Sequence, residues 1–73
     1  MNRISALKEL GAKIRTLRQL RGKTQTGLAS DCSLDRNYIG MLERGERNPT
    51  YMTLLAVAEG LSIDIAELIS FKE

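Results

Sequence analysis

The sequence contains no histidine and no tryptophan, one cysteine, one proline and three aromatic residues in 73 positions. With no histidine and only the thiol of Cys32, the usual nitrogen and sulfur donors of a zinc site cannot be assembled, and no intrachain disulfide can form. The missing histidine also removes the commonest general base. No carboxylates converge on a nucleophile, so the pattern does not suggest an enzyme. The longest wholly apolar run, Leu54 to Ala58, is far too short for a membrane span, and no basic, apolar and small-residue succession of a signal peptide opens the chain. The expectation is a reducing, cytoplasmic setting with no membrane contact, no cofactor, no metal and no small-molecule ligand.

What the chain does have is charge, unevenly placed. Residues 1–23 carry Arg3, Lys8, Lys13, Arg15, Arg18, Arg21 and Lys23 against Glu9 alone, whereas from Tyr51 onward Glu59, Asp64, Glu67 and Glu73 oppose only Lys72. One end could face a polyanion while the other faces something else, although a solvated helix face accounts for the basic residues equally well. A chain of 73 residues fits one domain, 1–73, since a domain this small buries only about 60% of the surface its unfolded form exposes. Tight helix packing or oligomerisation would then have to supply what disulfides and metals do not.

Ile4, Leu7, Leu10, Ile14 and Leu17 recur at steps of three and four, the stripe of an amphipathic helix that Gly22 ends. Thr24 is placed to cap a second helix, Gln25 to Cys32, with Leu28, Ala29 and Cys32 facing inward; Gly27 in its first turn costs about 1 kcal/mol relative to alanine. Asp35 caps a third helix from Arg36 to Arg44, with Leu34 placed to pack on Ile39 as a hydrophobic staple. Gly45 closes that helix and Pro49 prevents an early restart. Thr50 caps a fourth helix, with Leu54, Val57, Ala58 and Leu61 inward and an end near Ser62. Asp64 and Glu67 match a capping box, with Ile63 and Leu68 as its staple, for a fifth helix from Ile65 to about Ser70. No segment alternates with the period of a strand. The expected fold is all-α, a compact five-helix bundle.

The third helix distributes its chemistry unevenly. Positions 36, 37, 40, 41 and 44 share one broad face, opposite Ile39, Leu42 and Glu43. Arg36 and Asn37 therefore stand outward at its leading turn. Arginine matches the O6 and N7 of guanine and asparagine the N6 and N7 of adenine in the major groove. A three-residue turn joins this helix to the preceding one, the length used when a second helix enters the groove and the first crosses the backbone. Two polar residues in a first turn are commonly just solvated, but here Gln25, Tyr38, Arg44, Arg47, Asn48 and Thr50 surround them with groups suited to phosphate. The helix start at Gln25 and Thr26 adds free N–H groups for the same purpose.

"KTQTGLASDCSLDRNYIGMLERGERNPT", residues 23–50, resembles the helix-turn-helix core of the Cro/C1-type (XRE) repressor family. The following "TLLAVAEGLSIDIAELI" resembles the family's downstream helices, so that the likeness runs from about Gly11 to Ile69. The resemblance implies a lambda-repressor-like fold with the motif at about 24–45. It implies base reading by Arg36 and Asn37 and backbone contacts from Gln25 and Arg44; the helix reading adds Met41 to the base-reading face and Thr26, Tyr38, Arg47, Asn48 and Thr50 to the backbone contacts. It also implies a structural ion pair between Arg18 and Glu43. The sequence departs from the family pattern in having Ser33 where glycine is usual in the turn, Gly27 in place of a helix-favouring residue, and Gly40 where a small polar residue is usual. Within the family the short "LDRNYI" and "ERGERNPT" segments look most like controller proteins of restriction–modification systems. Small phage Cro-like repressors and antitoxins of toxin–antitoxin pairs share much of the pattern.

A single short recognition helix reads few base pairs, so a homodimer on a palindromic double-stranded operator is expected. Segment 61–73 has more apolar positions than one short helix can bury, and Ile63, Ile65, Ile69 and Phe71 are its candidate interface. Such a dimer would act on transcription as a repressor by blocking RNA polymerase, or as an activator by touching it through an exposed acid such as Glu46.

Overall fold

A computed structural model describes residues 2–71; Met1, Lys72 and Glu73, the ends of the expected domain and of the expected interface segment 61–73, lie outside the described residues. Five helices follow in order: α1 Arg3–Leu20, α2 Gln25–Cys32, α3 Arg36–Glu43, α4 Tyr51–Gly60 and α5 Ile65–Ile69. Their boundaries fall within one or two residues of those expected. Helix α1 crosses α3 and α5, α2 packs on α3 and α4, and α4 packs on α5.

Helix starts are set by side-chain oxygens that accept otherwise unpaired N–H groups. Asn2 accepts from the Ser5 N–H at 2.8 Å, Thr24 from Gly27 at 2.9 Å, Asp35 from Asn37 at 2.7 Å and Thr50 from Thr53 at 3.1 Å. The capping box expected at Asp64 and Glu67 does not form, because the Asp64 side chain makes no cap hydrogen bond. The Glu67 N–H that it would have served is taken instead by the Asp64 backbone carbonyl at 3.0 Å.

Helix ends share one device. Gly22, Ser33, Gly45 and Ser62 all adopt left-handed backbone, with φ between 57° and 75°. After each, the next residue donates back into the helix: Lys23 to Arg18, Leu34 to Ala29, Glu46 to Met41 and Ile63 to Ala58, at 2.9–3.1 Å. These bonds occupy carbonyls that the helix leaves unpaired and turn the chain sharply toward the next element. Ser33 and Ser62 do this with a side chain present, which costs about 1–2 kcal/mol at each.

The core consists of Ile14, Leu28, Ala29, Cys32, Ile39, Leu42, Val57, Ala58, Leu61 and Leu68, all buried. Leu10, Leu17, Leu34, Leu54, Ile63 and Ile65 pack around it, half-buried. Ile4, the first member of the expected α1 stripe, is 66% exposed. The end of α3 meets α1 at Lys8 and Gly11, so the opening turn of α1 projects beyond the helices that cover its middle. Burial, then the neighbouring Asp31 carboxylate, pushes the Cys32 thiol up from its ordinary pKa, as for a thiol in apolar surroundings.

Two long-range ties close the bundle. Arg21 donates through Nε to the Leu61 carbonyl at 2.7 Å, joining α1 to the end of α4. Lys13 donates to the Ser70 carbonyl, and its Nζ lies 4.9 Å from the centre of the Phe71 ring. Phe71 is thus engaged with α1, whereas Ile63 and Ile65 flank the α4–α5 groove.

Gly11 makes the α1–α3 crossing possible, since a Cβ there would overlap the carbonyl oxygens of Leu42 and Glu43. Gly11→Ala is expected to lower stability by about 1–3 kcal/mol, whereas Ser33→Gly should raise it by about 0.5–1 kcal/mol by relieving the left-handed serine. The shift of the urea midpoint measures both.

Candidate nucleic-acid interface

Helices α2 and α3 are held in register by a polar cluster behind them. Arg18 on α1 donates from Nε to Glu43 Oε2 at 2.6 Å, from Nη2 to Glu43 Oε1 at 3.1 Å, and from Nη1 to the Lys23 carbonyl at 2.8 Å. Gln25 adds an Nε2 bond to Glu43 Oε1 at 3.1 Å. The Glu43 side chain is 3% exposed, so its charge is sustained by these donors rather than by water. The hydrogen bond to Glu43 raises the Arg18 pKa above its ordinary value despite the opposing effect of burial. One carboxylate therefore links α1, the start of α2 and the end of α3.

In front of this cluster stands the leading turn of α3. Asp35 caps it, and the left-handed Ser33 turns the chain between the two helices. Arg36 and Asn37 are exposed, as a reading tip requires. With Gln25, Gly40 and Arg44 they line a polar notch of about 230 Å³. Gly40 is buried at its floor. A Cβ at Gly40 would stand 3.2 Å from Arg44 Nη1 and 3.7–3.8 Å from the Gln25 amide. The missing side chain is what leaves the notch open and lets the Arg44 guanidinium lie across it.

A helix-turn-helix family model matches residues 14–68, about three quarters of the chain. The chain belongs to the helix-turn-helix family. Its fold superposes on the crystal structure of the restriction-modification controller protein C.AhdI from Aeromonas hydrophila with a TM-score of 0.86 and 39% identity, covering 88% of this chain and 97% of that one. Control protein C.SmaI of Serratia marcescens is 37% identical over 61 residues, 84% of this chain and 73% of its own. The immunity repressor of Bacillus phage phi105 is also 37% identical, over 60 residues that make up 82% of this chain but 42% of the repressor. The chain is thus similar to controller proteins and transcriptional regulators, a fold of DNA-binding regulators and not an enzyme family.

Within the helix-turn-helix domain the expected contact residues divide by what their side chains already do. Arg36, Asn37, Thr26 and Asn48 are exposed. Gln25 is half-buried and has committed one amide N–H to Glu43. Met41 is half-buried, and its sulfur accepts from Arg47 Nε at 3.5 Å, which folds Arg47 back over the outer face of α3. Two further expected backbone contacts, Tyr38 and Thr50, also have structural tasks. The Tyr38 ring packs against the core, one position round the helix from the outward face. The Thr50 hydroxyl is occupied by the Thr53 N–H and Thr53 Oγ1, so its task is to cap α4.

Periodicity gave no hint of the pairing of Arg44 with Glu46. Arg44 donates from Nε to Glu46 Oε2 at 3.0 Å and from Nη2 to Oε1 at 3.1 Å. An arginine and an acid on either side of a helix-ending glycine is the signal that would have shown it.

Arg18→Ala would leave the enclosed Glu43 carboxylate without its main partner. A loss of about 3–5 kcal/mol in stability is expected, large enough to show as partial unfolding in circular dichroism at ambient temperature.

Proposed function

We propose that this helix-turn-helix regulator is the controller of a restriction–modification system, acting in the cytoplasm as a homodimer on a palindromic operator at its own promoter. The observation that carries this reading is the extent of the likeness to C.AhdI, which takes in 97% of that controller at 39% identity; the match to the phage repressor takes in less than half of that protein.

Arg36 reads guanine through O6 and N7, Asn37 reads adenine through N6 and N7, and Met41 offers an apolar contact to a thymine methyl. The backbone is held by the start of α2, through Gln25 and Thr26, and by Arg47 and Asn48 beyond α3. Two copies would place their α3 helices in successive major grooves, about 34 Å or 10 base pairs apart. The second copy docks on the α4–α5 surface, where Met52, Leu55, Ala56, Ile63, Ile65 and Ala66 line a largely apolar groove of about 690 Å³ that Glu59 and Asp64 also border. Ile69, one turn beyond Ile65 on α5, is 47% exposed and extends that surface; Phe71, held against Lys13 of α1, is the remaining candidate. A dimer seated over promoter elements excludes RNA polymerase, and one seated just upstream presents the polymerase with a neighbour.

Binding of wild type and Arg36→Ala to the gene's own upstream DNA, measured by gel shift, tests the reading. Arg36→Ala should lose about 1–3 kcal/mol on that DNA and little on a scrambled duplex; equal binding of both proteins to the upstream DNA would refute the base-reading assignment. Ile69→Asp, at a position 47% exposed, should weaken the dimer in sedimentation at micromolar concentration while leaving the helical content intact.

A further inference from the structure

The Arg44–Glu46 pair stands at the edge of the notch, and its geometry is fixed from the backbone. Gly45 takes φ +75°, and the Glu46 N–H bonds the Met41 carbonyl at 2.9 Å. The turn therefore brings the Glu46 carboxylate back to the guanidinium two residues earlier. Both oxygens are used: one by Nε and one by Nη2, the parallel fork that an arginine otherwise offers to a phosphate. The remaining nitrogen, Nη1, lies over Gly40, inside the notch lined also by Gln25, Arg36 and Asn37. Among the described residues, no acid lines that notch. Glu43, the acid behind it, is covered by Arg18 and Gln25.

We propose that Glu46 is a positioning residue that holds Arg44 beside Arg36 and Asn37 and withholds its fork from the DNA backbone, so that Arg44 serves discrimination between sequences rather than sequence-independent attachment. The proposal rests on the α3 face being the DNA-reading surface. Non-specific affinity comes almost wholly from neutralised phosphates. An arginine free to swing outward adds one such contact on any duplex, but an arginine clamped across the notch does not. The pair is solvent-exposed, with the two side chains 58% and 53% accessible, so the clamp biases Arg44 and does not lock it. The hydrogen bonds from Arg44 draw the Glu46 carboxyl below its ordinary pKa, and the clamp stays charged at neutral pH.

The test is a salt series on scrambled duplex and on upstream DNA with wild type, Glu46→Gln, Arg44→Ala and the double variant. Glu46→Gln should tighten scrambled-duplex binding by about two- to fivefold and steepen the slope of log affinity against log salt by about 0.9, one phosphate contact. Its preference for upstream over scrambled DNA should fall. In the Arg44→Ala background the same substitution should leave the slope unchanged. Equal steepening in both backgrounds would overturn the proposal, since Glu46 would then act only as a repelling charge; so would an unchanged slope in Glu46→Gln itself. Wild type that binds both duplexes equally, with the Glu46→Gln slope still steeper, would refute the operator reading and leave the clamp standing. No binding to either duplex would overturn both.

Discussion

The enclosed carboxylate of Glu43 is the constraint on which the rest of the α2–α3 surface depends. It sits at the end of α3, yet its partners come from α1 and from the first turn of α2. A buried carboxylate without donors is too costly to persist, so the three segments must meet wherever this charge is satisfied. That requirement sets the angle between α2 and α3 more tightly than apolar packing would, because charge-assisted hydrogen bonds are directional where hydrophobic contacts are not. Gly11 serves the same crossing sterically by letting α1 reach the last carbonyls of α3.

Gln25 shows how framework and interface share atoms. Its amide is a donor to Glu43 and at the same time a wall of the notch. The candidate DNA surface is thus one bond away from the charge that organises the fold. Gly40 belongs to both as well: it is a weak helix former retained at a buried position, where any side chain would fill the space in front of Gln25 and Arg44.

The helices were legible in the sequence because each rests on local rules: a periodic apolar stripe, an oxygen-bearing cap and a residue able to turn left-handed. The Arg18–Glu43 pair was legible through family resemblance, since twenty-five residues separate its members and no spacing rule joins them. Three features were not legible, each for a physical reason. Ile4 fits the stripe by periodicity, but burial depends on whether another helix extends that far. Asp64 and Glu67 fit the capping box by type and spacing, but a tighter backbone bond claimed the same donor. Tyr38 and Thr50 carry structural tasks that their phosphate-holding chemistry did not reveal, the ring against the core and the hydroxyl capping α4. At the site, Arg36 and Asn37 were readable as outward residues; the notch they border depends on what is missing at Gly40 and so left no pattern.

Helix α1 carries Arg18 toward the α2–α3 pair and Lys13 toward the tail, where Lys13 holds the Ser70 carbonyl and underlies Phe71. At about 1.5 Å per residue, the five-residue step from Lys13 to Arg18 sets these two anchors about 7.5 Å apart on one continuous helix. Force applied at the α4–α5 surface is therefore carried to α3 through a rod with no hinge in it. Two copies joined at that surface would behave as a caliper of fixed span rather than as two heads on a flexible tether.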